Sequence, residues 1–171
     1  MAIKGLKQSS ETIVIGFSVD ESAPNTFTQG SVDLQLNPLD NEVFVITAVN
    51  LDPSFPDAIA TVNTSVKCSL TTTSRTSLGS LSDSATIARS VNQIQADGFV
   101  DGGVAFQQSS LDAPPAVLDY LGIIATNDFF VQVQGTNNGA AKGVTGKLYG
   151  FRATASASTF AALVQSEVLS S

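Results

Sequence analysis

Glu42-Val-Phe-Val-Ile-Thr-Ala-Val49 is the stretch that decides the fold class. Its β-branched and aromatic residues suit an extended chain, and both parities are apolar: Val43, Val45 and Val49 on one, Phe44, Ile46 and Ala48 on the other. A strand with one face in water alternates apolar with polar. One that is apolar on both faces is covered by protein on both. The stretch is therefore expected to be central in a sheet or to lie at an interface.

The flanking sequence supplies the rest of that sheet. Ile13, Ile15, Phe17 and Val19 alternate with Val14, Gly16 and Ser18, which predicts a half-buried strand. Val32, Leu34 and Leu36 alternate with Ser31, Asp33 and Gln35, and Glu21-Ser-Ala-Pro-Asn25 provides the intervening turn. Beyond Pro53 and Pro56, Ala60, Val62, Val66, Cys68 and Leu70 share a parity, predicting a fourth strand with Cys68 facing inward. Thr71 to Asp83 is dominated by Ser and Thr and reads as a long exposed connection. Ile87, Val91 and Ile94 stand at helical spacing among residues that suit a strand; a short helix and an irregular strand both remain, with the strand preferred.

Asp97-Gly98 and Asp101-Gly102 are turn dipeptides around Phe99-Val100, after which Val104 and Phe106 resume alternation toward Gln108. Asp112 before Ala113-Pro114-Pro115 predicts a short capped helical turn reaching Leu121. Phe129, Val131 and Val133 alternate with Phe130, Gln132 and Gln134. With the turn Asn137-Asn-Gly139 and the return from Val144 to Ala153, they predict an antiparallel hairpin. From Ser158, Phe160, Leu163, Val164 and Val168 recur at helical spacing. Either this helix folds back over its own sheet, or the small residues Ala153 to Ser158 act as a hinge that lets it reach a neighbouring subunit. The chain divides into an N-terminal arm at 1–10, a β-sandwich domain at 11–157 and a C-terminal segment at 158–171. Eight or so short strands with little helix indicate an all-β antiparallel sandwich or barrel.

Composition narrows the function. The 171 residues carry a net charge of −7, no histidine and one cysteine, and only 13% of them are charged. A chain of this size buries roughly 70% of its unfolded surface, so a core forms without metal or disulfides. Low charge with abundant Ser and Thr leaves a surface of hydroxyls, amides and small apolar groups, the kind that meets other protein. The acidic balance argues against nucleic-acid binding by the body of the domain, since Lys4 and Lys7 are the only cations paired near an end. No window has the length of a membrane-spanning helix, and the N-terminus lacks a secretory signal, so no export through a signal peptide is expected. Asn63-Thr-Ser65 matches a glycosylation sequon that has no role in that setting.

Catalytic and metal chemistry is poorly supplied. Without histidine, triads and zinc sites built on it are excluded. Cys68 sits in a Val and Leu face and reads as a core residue rather than a nucleophile. Asp97, Asp101, Asp52 and Asp57 could offer oxygen ligands to calcium, but each stands in ordinary turn chemistry. Gly139, Gly143 and Gly146 follow a strand without a helix behind them and do not make a phosphate loop. No enzyme and no cofactor is expected; acid-pair catalysis is the weakest of the functional classes. Phe55, Phe130 and Phe151 fall on loops or opposite the main alternating set. With Phe160, Leu163, Val164 and Val168 they form the candidate subunit interface, the alternative being cover by the chain's own helix and loops.

The segments Val43 to Pro53, Phe129 to Gly135 and Gly146-Lys-Leu-Tyr-Gly-Phe-Arg152, in a histidine-free, Ser/Thr/Gln-rich β-domain, resemble the capsid proteins of tailless icosahedral bacterial and archaeal viruses. The resemblance implies a single jelly roll of about eight strands. It implies a structural virion protein whose partners are copies of itself and other capsid proteins, assembled in the host cytoplasm, with termini and long loops such as Thr71 to Asp83 at the contacts. The sequence departs from the pattern in lacking a basic arm longer than Lys4 and Lys7, which speaks against a genome-binding role. The alternative is a glycan- or receptor-binding sandwich such as a viral fibre head. That function calls for an aromatic platform, and the chain has two tyrosines and no tryptophan.

Overall fold

In the computed structural model, residues 3–98 and 118–169 are described, together with the backbone of 106–110. The alternating stretches form strands and the terminal apolar stripe forms a helix. In chain order these are β1 Leu6–Gln8, β2 Ile13–Asp20, β3 Thr28–Asp33, β4 Glu42–Pro53, β5 Thr64–Thr71, β6 Thr86–Gln95, β7 Phe106–Ser110, β8 Gly122–Ile124, β9 Asp128–Thr136, β10 Gly143–Ala155 and α1 Ala157–Leu169. A 3₁₀ turn spans Pro38–Asp40. The first sheet runs β1-β10-β4-β8, with β2 beside β1 on the same edge of β10; the second runs β3-β9-β5-β6-β7.

The pairing reveals the path. β2 pairs β10, β3 pairs β9, β4 pairs β8 and β5 pairs β6, all antiparallel. The chain is thus one long two-stranded ribbon, closed at the β5–β6 end and wrapped so that successive pairs fall in opposite sheets. This is the strand order of a single jelly roll within an antiparallel sandwich.

One expected pairing fails. β9 and β10 do not form a hairpin: β9 lies in the second sheet and β10 in the first. Alternation and a turn dipeptide specify a reversal of direction, but not whether the returning strand stays in the same sheet. Here the Glu21 carboxylate ties both ends of the connection where it crosses the end of the sandwich, accepting the N–H of Gly135 at 2.6 Å and of Lys142 at 2.8 Å.

β4 is covered on both sides as its sequence requires. Phe44 and Ile46 enter the core between the sheets, while Val43 and Val45 face outward into a second core beneath α1. A β-bulge then changes the parity: Ala48 pairs Tyr149 and Ile46 pairs Gly150, leaving Thr47 unopposed, and Val49 and Leu51 turn inward. A Cβ on Gly150 would stand 2.2 Å from the Val45 carbonyl oxygen, so the bulge needs glycine there. Phe17 and Phe129 meet edge to face across the main core, with centroids 5.7 Å apart.

Other boundaries move for local reasons. The fourth strand starts at Thr64 rather than Ala60, since Thr61 takes a left-handed φ of 62° and turns the chain. β3 ends at Asp33, although Leu34 and Leu36 keep the expected inward parity. Ile87 to Ile94 is strand, not helix. β8 was not expected from the sequence. The predicted elements at Phe99-Val100, Asp101-Gly102, Val104 and residues 112–117 lie outside the described residues, and the described end of the predicted helical turn, 118–121, is not helical. Thr71, Thr72, Thr73 and Gly79 are buried, so the connection expected to be exposed is folded against the second sheet. The hinge proposed for Ala153 to Ser158 is absent: Ala153 and Ala155 are buried in β10, and Ser156 alone separates that strand from α1.

Candidate functional site

Four of the seven candidate interface residues come together inside the molecule. Phe151 on the outer face of β10 packs with Phe160, Leu163 and Val164 of α1, over Val43, Val45 and Ala153. The helix therefore lies on its own sheet. Ser156 begins it by accepting the Thr159 N–H. Near its far end Glu167, only 7% exposed, accepts hydrogen bonds from the N–H groups of Ala125 and Thr126 at 2.6 and 3.0 Å and from the Thr126 hydroxyl. A carboxylate near a helix C-terminus opposes the helix dipole, so these three donors must hold it. Val168 is 59% exposed and, with Phe130, lines a cavity of about 280 Å³ beside Thr72–Ser74. Phe55, 51% exposed, belongs to the connection between β4 and β5 at the other end of the sandwich.

A larger cavity of about 560 Å³ opens between α1 and the turn after β3. Leu36, Pro38, Ala125, Phe160 and Val164 line it together with the polar Glu42, Thr126 and Asn127. The polar lining groups are already hydrogen-bonded: Asn127 Oδ1 takes the Leu36 N–H at 2.7 Å, Asn127 Nδ2 donates to Asp33, and Glu42 is paired with Arg152 at 3.1 Å. Arg152 also donates to the carbonyls of Leu34 and Gln35, fastening this turn to β10. Beside the cavity stands Leu39, 91% exposed at the tip of the 3₁₀ turn.

The opposite end is closed by polar contacts. Asn138 accepts from the Asp57 N–H and donates to the Ser65 carbonyl, both at 2.9 Å, and exchanges backbone and side-chain bonds with Asn25. Asp57 is bound to Lys142 at 2.6 Å. That bond, reinforced by the Gly139 N–H, holds the Asp57 carboxyl below its ordinary range. Asp57 is thus engaged in closing a turn. Asp52 lies exposed on β4, Asp97 lies in an exposed turn whose N–H groups at 96 and 97 are held by Asn63, and Asp101 lies outside the described residues. The sequon asparagine is accordingly a structural acceptor. Among the described residues no three acidic or cysteine side chains gather into a metal site. Cys68 is buried in the main core, and burial pushes its thiol up to about 12.

Sequence reasoning passed over Glu167, Glu21, Gln132 and Leu39. The first three are polar residues whose partners lie far along the chain, and nothing local distinguishes them from surface positions. Leu39 carried a signal: Asn37-Pro-Leu-Asp-Asn41 is a capped turn with an apolar tip. Comparisons with described protein families, with curated proteins and with solved structures return no match.

Proposed function

We propose that the chain is a structural, non-catalytic subunit that assembles with copies of itself into the icosahedral capsid of a tailless bacterial or archaeal virus and resides in the virion. The observation that carries this is the jelly-roll strand order around an interior filled with side chains. Jelly rolls serve capsids, lectin domains and cupins. A catalytic version needs a cavity between its sheets, and here Phe44, Ile46, Leu70, Phe129 and Leu148 occupy that space with under 2% exposure. A glycan-binding version needs an aromatic platform; the chain has no tryptophan. What remains is surface, and low charge with exposed Leu39, Leu81, Phe55 and Leu169 suits contact with protein.

Light scattering and cryo-electron microscopy of the purified full chain, over a range of salt and pH, test the proposal. Closed particles or rings are the expected result. A monomer under all conditions overturns it, and a monomer that binds on a glycan array replaces it with the carbohydrate-recognition alternative.

A further inference from the structure

The groove beside α1 and the turn next to it have a relation that neither has alone. Leu39 projects into solvent from a pedestal fixed at every side. Asn37 Oδ1 accepts the Leu39 N–H at 3.0 Å, and Asn37 Nδ2 donates to Asp40 at 2.6 Å. Pro38 sets the first helical position, and Asn41, at a left-handed φ of 51°, closes the turn with its N–H on the Pro38 carbonyl. The Asn41 carbonyl in turn accepts from Ala155 of β10. The backbone that carries this side chain is already ordered, so contact costs chiefly the rotamer freedom of Leu39 itself. The 560 Å³ groove starts at Pro38, the residue immediately before the tip. The polar groups of its lining already have partners, so the surface it offers to an occupant is mainly apolar.

We infer that the Pro38–Asp40 turn and this groove form a two-fold contact with a second copy of the chain, Leu39 of each copy entering the groove of the other. A two-fold contact requires a projection and its receptor on one surface, so that residue i meets j while j meets i. Leu39 and the groove, sharing Pro38, meet that requirement; a head-to-tail contact would need them on different surfaces. The acidic groups nearby set the salt dependence. Asp40 follows the tip directly and the chain carries −7, so like charges approach across the axis and association strengthens as salt screens them.

The contact rests on the assembly proposed above and specifies one of its interfaces. It is tested by sedimentation equilibrium of the full chain, of Leu39→Glu and of Leu39→Met. Leu39 is exposed, so both variants keep the fold, which their melting curves check. Two leucines leave the interface at once in Leu39→Glu, and the dissociation constant is expected to rise at least about a hundredfold, with Leu39→Met close to the parent. Oxidising a mixture of Leu39→Cys and Val164→Cys chains is expected to give a disulfide-linked heterodimer, the native Cys68 being buried. If the parent associates, Leu39→Glu associates equally and no heterodimer forms, the two-fold contact is wrong and the assembly proposal stands. If the parent is monomeric at every concentration and salt, the assembly proposal itself falls and takes this contact with it.

Discussion

The outer face of the first sheet is apolar where α1 lies on it, whereas the outer face of the second sheet is built of amides and hydroxyls and is covered by the 72–85 connection. On the first, Val43, Val45, Phe151 and Ala153 meet Phe160, Leu163 and Val164. On the second, the Ser69 hydroxyl donates to Gln132 Oε1 at 2.6 Å, and Gln132 Nε2 donates to Gln29 and to Thr71. The covering segment joins the network: Gly79 donates to Ser69 and Arg75 to Gln29 through their backbone N–H groups. Both faces exclude water, but by different means. Apolar cover needs only shape and area, while polar cover needs each atom matched. Here the match is incomplete, since Thr73 Oγ1, Arg75 Nε and Thr86 Oγ1 are buried without a partner among the described residues. An unsatisfied buried polar atom costs about 1–3 kcal/mol, so the polar cover is expected to open more readily than the helix, as hydrogen exchange would read.

The largest effect that could break this contrast comes from removing α1 after Ser156. Fully burying one such side chain is worth about 1.5–3 kcal/mol. With Phe160, Leu163 and Val164 only partly buried, the loss is expected to be about 4 kcal/mol, a fall in Tm of roughly 8–16 °C. Scanning calorimetry with dye binding to the bared sheet checks it. A truncated chain that melts like the parent shows that the helix contributes little to the fold. Next comes Gln132→Leu, which fills the space but takes away the acceptor of the Ser69 hydroxyl and the donor to Gln29 and Thr71, which keep their bonds to Arg75 and Thr73; about 2 kcal/mol of destabilisation is expected by urea unfolding. If it costs nothing, the polar cover is held by shape after all.

The difference between the two faces also explains what could be read in the sequence. β4 advertised its double burial because both parities are apolar, and the stripe Phe160, Leu163, Val164 advertised a helix needing a surface. Both features are local. Ser65, Ser69, Thr71 and Gln132 alternate with Val66, Cys68, Leu70 and Val131 as residues in water do, so a polar segment folded over them is indistinguishable from solvent. The same limit hid Glu167 and Glu21, whose partners are backbone N–H groups more than 40 positions away. The split of β9 and β10 between sheets was hidden for a related reason: the turn residues are local, but the carboxylate that ties both ends of the connection is not. The candidate interface residues were chosen for being apolar off the main face, and α1 supplies its own cover for most of them.

Smaller effects sharpen the comparison. Glu167→Gln keeps one acceptor oxygen for three donors and is expected to cost about 1.5 kcal/mol. Hydrogen exchange should then speed at Ala125 and Thr126 and in the last turns of α1, leaving the amides near Gly79 unchanged. Equal speeding at both places would show that the two covers open together. The smallest effect concerns the end closed by Asp57 and Lys142. The folded carboxyl lies below its unfolded value of about 3.8, so its contribution is present above that pH and is lost as pH falls through the folded value. Asp57→Asn should flatten this part of the stability curve below about pH 4, as read from Tm in acid, with little change near neutrality.

β10 has a consequence for how the chain comes into being. It is the shared partner of β1, β2 and β4, and it pairs Gly143 with Asp20 and Gly150 with Ile13. On the ribosome the second strand therefore waits for a partner made about 130 residues later, roughly 6–26 s at ordinary rates of synthesis. The closed end of the ribbon, β5 with β6, pairs across a short separation and is complete long before. Folding is therefore expected to proceed from the middle of the chain toward both termini. The first sheet is sealed last, and until β10 arrives the apolar N-terminal strands are free to pair with those of other nascent chains.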